Sequence, residues 1–335
     1  MNNEEKKSLQ RLKALEAEEV KKKAISNLIE VQQVASSCVF HYTTAGALIG
    51  MLKNTTKENA HLTFWASHIS YMNDKEERKY GVDKMWEVLK DVENDLSIPK
   101  VKRITELDRD ELNKFVKIKS LERKSLVNVY SVSFSKTFDT LPMWKMYGQD
   151  CNGICLGFDL KSVNEYLKSR NMDTLDGIVY GIGESISDSQ MNNEELERWK
   201  EYVKYMYQQT MTFIEQNFNQ IKIIDENSNI ALYNYFALYN IIPCKIKNPS
   251  YKYEDEYRLI CREFNNKELY FRERKGLLFP YVEVDLPLDA LKIIAVGPTI
   301  DKERQLWSVA KLLTERGKDI SSLIFWGSDI PYYSV

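Results

Sequence analysis

Three separated stretches of this chain carry side chains that could do chemistry together. The first is His41-Tyr42-Thr43, followed by Asn73-Asp74-Lys75-Glu76-Glu77. An imidazole at a strand end, beside hydroxyls, can donate a hydrogen bond to a ligand, and it exchanges a proton near neutral pH. The commoner place for a lone histidine is packed under a loop, bonding a backbone carbonyl. Asp74 and Glu77 also stand at the spacing of a helix capping box. Asn73, Asp74 and Glu77 therefore have a structural reading beside a ligand-binding one.

The second stretch is Ser131-Val132-Ser133-Phe134-Ser135, leading to Asp139, Met143, Trp144, Tyr147 and Gly148. Strand alternation puts Ser131, Ser133 and Ser135 on one face. A row of hydroxyls makes a poor core surface and a reasonable lining for a ligand. Trp144 and Tyr147 are spaced to share a helix face, where two aromatics can stack a flat ring. The competing reading has Trp144 anchoring its short helix to the core.

The third stretch is Tyr251-Lys252-Tyr253-Glu254-Asp255-Glu256-Tyr257-Arg258. If it is extended, Glu254, Glu256 and Arg258 fall on one face. Arg258 can pair with a carboxylate or clamp a phosphate. A glutamate set against a ribose can stabilise an oxocarbenium-like transition state. The plainer alternative is an ion pair on an edge strand.

Other chemistries leave weaker traces. His41, His61 and His68 are the only histidines, and Cys151-x3-Cys155 has no matching second pair, so no zinc signature is present. No metal site is expected, although a carboxylate-bound Mg²⁺ on Asp74, Glu77 or Glu256 would make a nuclease. There is no P-loop, dinucleotide-binding glycine fingerprint or nucleophile elbow.

These residues need elements to position them. Residues 3–34 read as one long helix, either pairing with a second copy in a homodimer or lying on its own domain. Strands are expected at 38–43, 62–66, 127–134, 153–158, 257–262, 281–284, 293–296 and 324–326. Helices are expected from Thr44 to Leu52 and at 73–95, 98–125, 143–147 and 301–316. A helical insertion is expected at about 190–240. The result is an α+β fold, with a mixed or antiparallel central sheet and flanking helices, in one domain over 37–335 after the N-terminal helix at 1–36.

Composition bounds the partners. The formal charge is −2 over 335 residues, so no global basic field holds a nucleic-acid backbone. No run is long and apolar enough for a membrane span, and the charged N-terminus lacks a signal-peptide core, so a cytoplasmic location is expected. Five cysteines without a dense framework read as reduced thiols. The partner is expected to be a small nucleotide or a protein target.

Taken together, the motifs resemble an uncharacterised bacterial domain family associated with phage defence. The residues that carry the resemblance are His41-Tyr42-Thr43, Asn73-Asp74-x-x-Glu77, Ser133-Phe134-Ser135 and Met143-Trp144-x-x-Tyr147-Gly148. Gly153 to Asp159, Glu254-x-Glu256-x-Arg258 and Ser328 to Tyr332 complete it. The family pattern has proline after Asn-Asp, where this chain has Lys75. The motif order is also similar to that of His-Tyr-Glu ADP-ribosyltransferases. That similarity implies an ADP-ribosyltransferase-like fold and NAD as a substrate, with no tightly bound cofactor. By its logic His41 would bind the nicotinamide-side ribose, and Tyr71, Tyr80 or Tyr147 would stack on nicotinamide. Ser133 and Ser135 would shape the pocket, with Glu256 as the catalytic carboxylate. Tyr42, Thr43, Asn73, Asp74, Glu77, Trp144, Glu254 and Arg258 would line it. The implied function is an NAD-using transferase or glycohydrolase acting as a defence or toxic effector. A non-catalytic module that senses a nucleotide or protein is the alternative.

Overall fold

The computed structural model describes residues 28–71, 76–99, 104–106, 129–181, 200–208, 241–262, 268–274, 276–298 and 301–332. Within them the strands are, in chain order, β1 Cys38–Thr43, β2 His61–His68, β3 Val129–Ser135, β4 Ile154–Asp159, β5 Leu175–Gly177 and β6 Val179–Tyr180. They continue as β7 Ile246–Lys247, β8 Glu256–Arg262, β9 Leu269–Arg274, β10 Leu277–Pro287, β11 Leu291–Val296 and β12 Ile324–Gly327. The fold is α+β, and its strand pairs are mostly antiparallel. The chain folds into two compact units, each drawn from several segments.

The first unit comprises residues 1–60, 136–163 and 287–335. Its strands stand in the order β12-β11-β4-β1. The β1–β4 and β4–β11 pairs are antiparallel and the β11–β12 pair is parallel. β4 (ICLGFD) is buried along all but its last residue. That explains its unbroken apolar run, since a strand covered on both faces has no polar side to show. Residues 28–37 are helical, so the N-terminal helix ends three residues beyond its expected limit. The rest of that expected helix, and with it any pairing surface, lies outside the described residues. Thr44 caps the helix Ala45–Met51 by accepting a hydrogen bond from the Ala47 amide, as its sequence position foretells.

The second unit comprises residues 61–135 and 164–286. β3 is its axis, paired antiparallel with β2 on one side and β8 on the other. β8 continues to β5, and β2 continues to the β10–β9 hairpin. β6 and β7 form a small parallel pair. The helix Glu77–Asp95 buries Met85, Trp86, Val88, Leu89 and Val92 in a core shared with Val129, Ile246 and Ile260. It approaches the 243–246 segment closely at Gly81, where any Cβ would overlap the Pro243 carbonyl. Of the expected insertion only 200–208 is described beyond Tyr180 and before Ile241. It is helical and adds Val203, Met206 and Tyr207 to the same core. The expected helix at 98–125 lies almost wholly outside the described residues. Among the described residues no helix is long and apolar enough to cross a membrane.

Candidate functional site

The third motif folds differently from a continuous strand. Residues Pro249–Glu254 form a 3-10 turn, and β8 begins only at Glu256. Asp255 between them sits in the left-handed region, at φ 40° and ψ 56°. Aspartate tolerates that region better than most residues. The expected extended alternation of Glu254, Glu256 and Arg258 is therefore corrected. The three side chains still meet, because Lys247 of β7 reaches both glutamates.

The result is a buried ionic cluster within the second unit. Arg258 donates from Nε to Glu256 Oε1 at 2.6 Å and from Nη2 to Glu256 Oε2 at 2.9 Å. Its Nη1 donates to the Cys244 carbonyl at 2.7 Å, and its Nη2 meets Glu77 Oε1 at 2.5 Å. Lys247 Nζ lies 2.5 Å from Glu254 Oε2, 2.9 Å from Glu256 Oε2 and 3.6 Å from Glu77 Oε2. The ammonium also sits 4.9 Å from the Tyr251 ring centroid. Ser133 hydrogen-bonds the Glu256 carboxylate, and the Ser135 hydroxyl donates to the Glu254 carbonyl at 2.5 Å. The Tyr180 hydroxyl accepts from the Glu256 amide at 2.9 Å. Glu256 is 4% exposed and Arg258 1%.

Electrostatics follow from this packing. Burial alone would raise the Glu256 carboxyl, but Arg258 and Lys247 outweigh it and hold the group at about 2. Burial opposes the charge of Lys247 and Arg258 too. Glu256 and Glu77 reverse that and keep both cations above their usual ranges. Burial pushes the Tyr180 phenol up. Glu256 is therefore a fixed anion, with cations on both oxygens and no proton to give near neutrality. Glu77 is the first residue of its helix, while its expected capping-box partner Asp74 lies outside the described residues. Glu76 occupies the cap position without a capping hydrogen bond from its side chain, and the Glu77 carboxylate turns to Arg258. Asn73 and Asp74 lie outside the described residues. No group of three or more His, Cys, Asp or Glu among the described residues is arranged to hold a metal.

The remaining motif residues gather in the first unit. Trp144 is fully buried, and its indole N–H donates to Asp139 Oδ1 at 2.7 Å. Trp326 donates to the other oxygen, Asp139 Oδ2, at 2.8 Å. Asp139 holds this position with φ 50°. Tyr42 meets Trp144 edge-on, with ring centroids 4.9 Å apart, and donates its hydroxyl to the Thr137 carbonyl. Burial raises the Tyr42 phenol and the neighbouring Cys155 thiol well above their ordinary values. Tyr147 packs half-buried against the same core, and a Cβ on Gly148 would crowd the Trp144 ring. This core anchors the helix Leu141–Tyr147, the plainer of the two readings of Trp144. His41 is half-buried on β1 opposite Leu156 of β4, and the buried Thr43 stands opposite Ile154. The motif residues thus divide by unit: His41, Tyr42, Thr43, Trp144 and Tyr147 in the first, Glu77, Ser133, Ser135, Glu254, Glu256 and Arg258 in the second.

Sequence reasoning missed Lys247, which links three glutamates yet sits alone in Lys245-Ile246-Lys247-Asn248. It also missed Trp65 and Arg272. There a signal existed, in the alternation Thr63-x-Trp65-x-Ser67 and Tyr270-x-Arg272-x-Arg274.

Comparison with known proteins adds one likeness. Residues 143–259 match the model of a family described as a protein of unknown function (DUF2971). The match takes in the Trp144, Gly153–Asp159 and Glu254-to-Arg258 motifs, and it supports a relation to an uncharacterised domain family. No curated protein and no solved structure matches the chain.

Proposed function

We propose that this chain is a non-catalytic module that binds a nucleotide, the sensing part of a bacterial defence system, rather than an enzyme that consumes NAD. The observation that carries this reading is the state of Glu256. A transferase of the His-Tyr-Glu kind needs that carboxylate free to meet a ribose hydroxyl as positive charge develops. Here Arg258 and Lys247 engage both oxygens, at 4% exposure. A carboxylate so placed holds a fold together. Ligand binding without turnover asks nothing of it beyond that. The defence setting and the nucleotide class come from the motif resemblance.

Thermal melting of the full chain against NAD, ADP-ribose, ATP and the four nucleoside monophosphates tests this. At least one nucleotide is expected to raise the melting temperature in a saturable manner, because a ligand that binds only the folded state stabilises it by mass action. A flat response across the whole panel counts against the proposal.

A further inference from the structure

A second group of polar and aromatic side chains lies in the same unit. On β2 the side chains of Leu62, Phe64 and Ala66 are buried, which turns Thr63, Trp65 and Ser67 to the other face. Trp65 keeps 43% of its surface exposed, although Tyr281 of β10 stacks on it with centroids 4.6 Å apart. Tyr270 of β9 continues the stack on Tyr281, with centroids 5.6 Å apart. The Arg272 guanidinium lies 5.7 Å from the Trp65 centroid, and its Nη2 donates to Ser67 Oγ at 2.7 Å.

Two polar groups beside this ladder have no hydrogen-bond partner among the described residues. One is Arg272 Nε, a buried donor. The other is the hydroxyl of Ser131, a residue 4% exposed. Ser67 joins them, being the cross-strand neighbour of Ser131 on β3 and the acceptor for Arg272. A buried donor left unmade costs more than an ordinary hydrogen bond contributes, and such groups are rare in folded proteins. Burial and the neighbouring Arg274 both work against the Arg272 charge. An anion placed here would satisfy the donor and relieve the charge. A flat ring could cover the open indole.

We infer that Trp65, Ser67, Ser131 and Arg272 form a binding site for a free nucleotide, with the base stacked on Trp65 and a phosphate oxygen on Arg272. This rests on the nucleotide-binding reading above and gives it a location. Aromatic stacking joined to a guanidinium is the chemistry by which proteins hold a base and its phosphate. The same chemistry would suit a nucleotide within a single strand. Charge favours the free ligand. Glu283 acts on Tyr281, and Asp285 accepts from Thr63 at 2.7 Å, so carboxylates border the patch. With a formal charge of −2 on the chain, an extended polyanion finds little to hold it.

Calorimetric titration of the full chain with AMP, GMP, CMP and UMP tests the site, with the matching nucleosides, inorganic phosphate and a short single-stranded oligonucleotide as further probes. At least one monophosphate is expected to bind, with its nucleoside and phosphate alone weaker by about tenfold or more. Trp65→Ala and Arg272→Gln should each weaken it by about tenfold or more, Arg272→Lys by less, and the exposed Trp307→Ala not at all. Near-ultraviolet circular dichroism checks that each variant is folded. Binding that Trp65→Ala and Arg272→Gln leave intact would overturn the site and spare the nucleotide reading. No binding by any monophosphate would overturn the site, and a flat melting response to NAD, ADP-ribose and ATP as well would overturn the nucleotide reading with it. An oligonucleotide that binds more tightly than every monophosphate would overturn the assignment to a free ligand.

Discussion

Arg258 grips Glu256 from two positions further along the same strand, Nε to Oε1 at 2.6 Å and Nη2 to Oε2 at 2.9 Å. Residues so spaced on β8 point to one face, so the backbone already aligns the fork with the carboxylate. Lys247 then closes on the same oxygen, Oε2, at 2.9 Å.

Replacing Glu256 by glutamine removes the carboxylate that Arg258 and Lys247 share and leaves Glu77 and Glu254 as their remaining anionic partners. Breaking a buried ion pair from one side costs about 3–5 kcal/mol. Urea unfolding of Glu256→Gln is expected to show a loss of that order, and a change within experimental error would show that the cluster is not holding the unit. Lys247→Met should cost a similar amount. A double-mutant cycle between the two positions should give a coupling of about 0.5–3 kcal/mol.

The same carboxylate sets a pH dependence. Its folded value of about 2 lies below the ordinary 4.5, so the unfolded chain binds the proton more readily. The stability it contributes is therefore fully present above about pH 4.5 and is lost as the pH falls through about 2, a swing of about 3 kcal/mol at most. Unfolding measured from pH 6 down to pH 2.5 should show the gap between wild type and Glu256→Gln narrowing below pH 4.5. A constant gap would contradict the assignment.

Much of this architecture was legible in the sequence. β1, β4 and β11 read as strands because apolar runs with β-branched residues leave little alternative. Thr44 announced its cap. The helix Glu77–Asp95 was legible from its apolar stripe, though its start was not, because Glu77 serves Arg258 and not the helix end. An extended strand predicts that Glu254, Glu256 and Arg258 meet, and they do meet, by a different geometry. A turn and a left-handed Asp255 stand where a strand was expected, and the lysine that unites the group comes from β7. Nothing local marks Lys247, whose role depends on a pairing distant in sequence. Trp65 and Arg272 stand in alternating strand patterns, but only the pairing of β2, β10 and β9 brings them together.

Asp139 gives a prediction in the other unit. Asp139→Ala strips the acceptor from two indole N–H groups, each worth about 1–3 kcal/mol when left unsatisfied. Asp139→Asn keeps one oxygen and tolerates φ 50°, so it should cost less. Denaturant unfolding followed by tryptophan fluorescence checks the order, and equal stability of all three proteins would show that the two indoles do not depend on Asp139.

The cysteines should be silent in the native protein. All five are buried and free. Burial raises the thiols of Cys38 to about 11 and of Cys244 to about 12, and those of Cys151 and Cys155 also lie above their ordinary value. Little thiolate forms near pH 8. A thiol reagent at that pH is expected to react negligibly with folded protein and with five groups once guanidinium is added. Rapid labelling of the native chain would contradict the burial.

The most direct test is nicotinamide release from NAD by concentrated full-length protein over several hours, read against a blank without protein. No release above the blank is expected, because Arg258 and Lys247 hold Glu256 as a structural anion. Release that rises with protein concentration and disappears in a folded Glu256→Gln variant would contradict it.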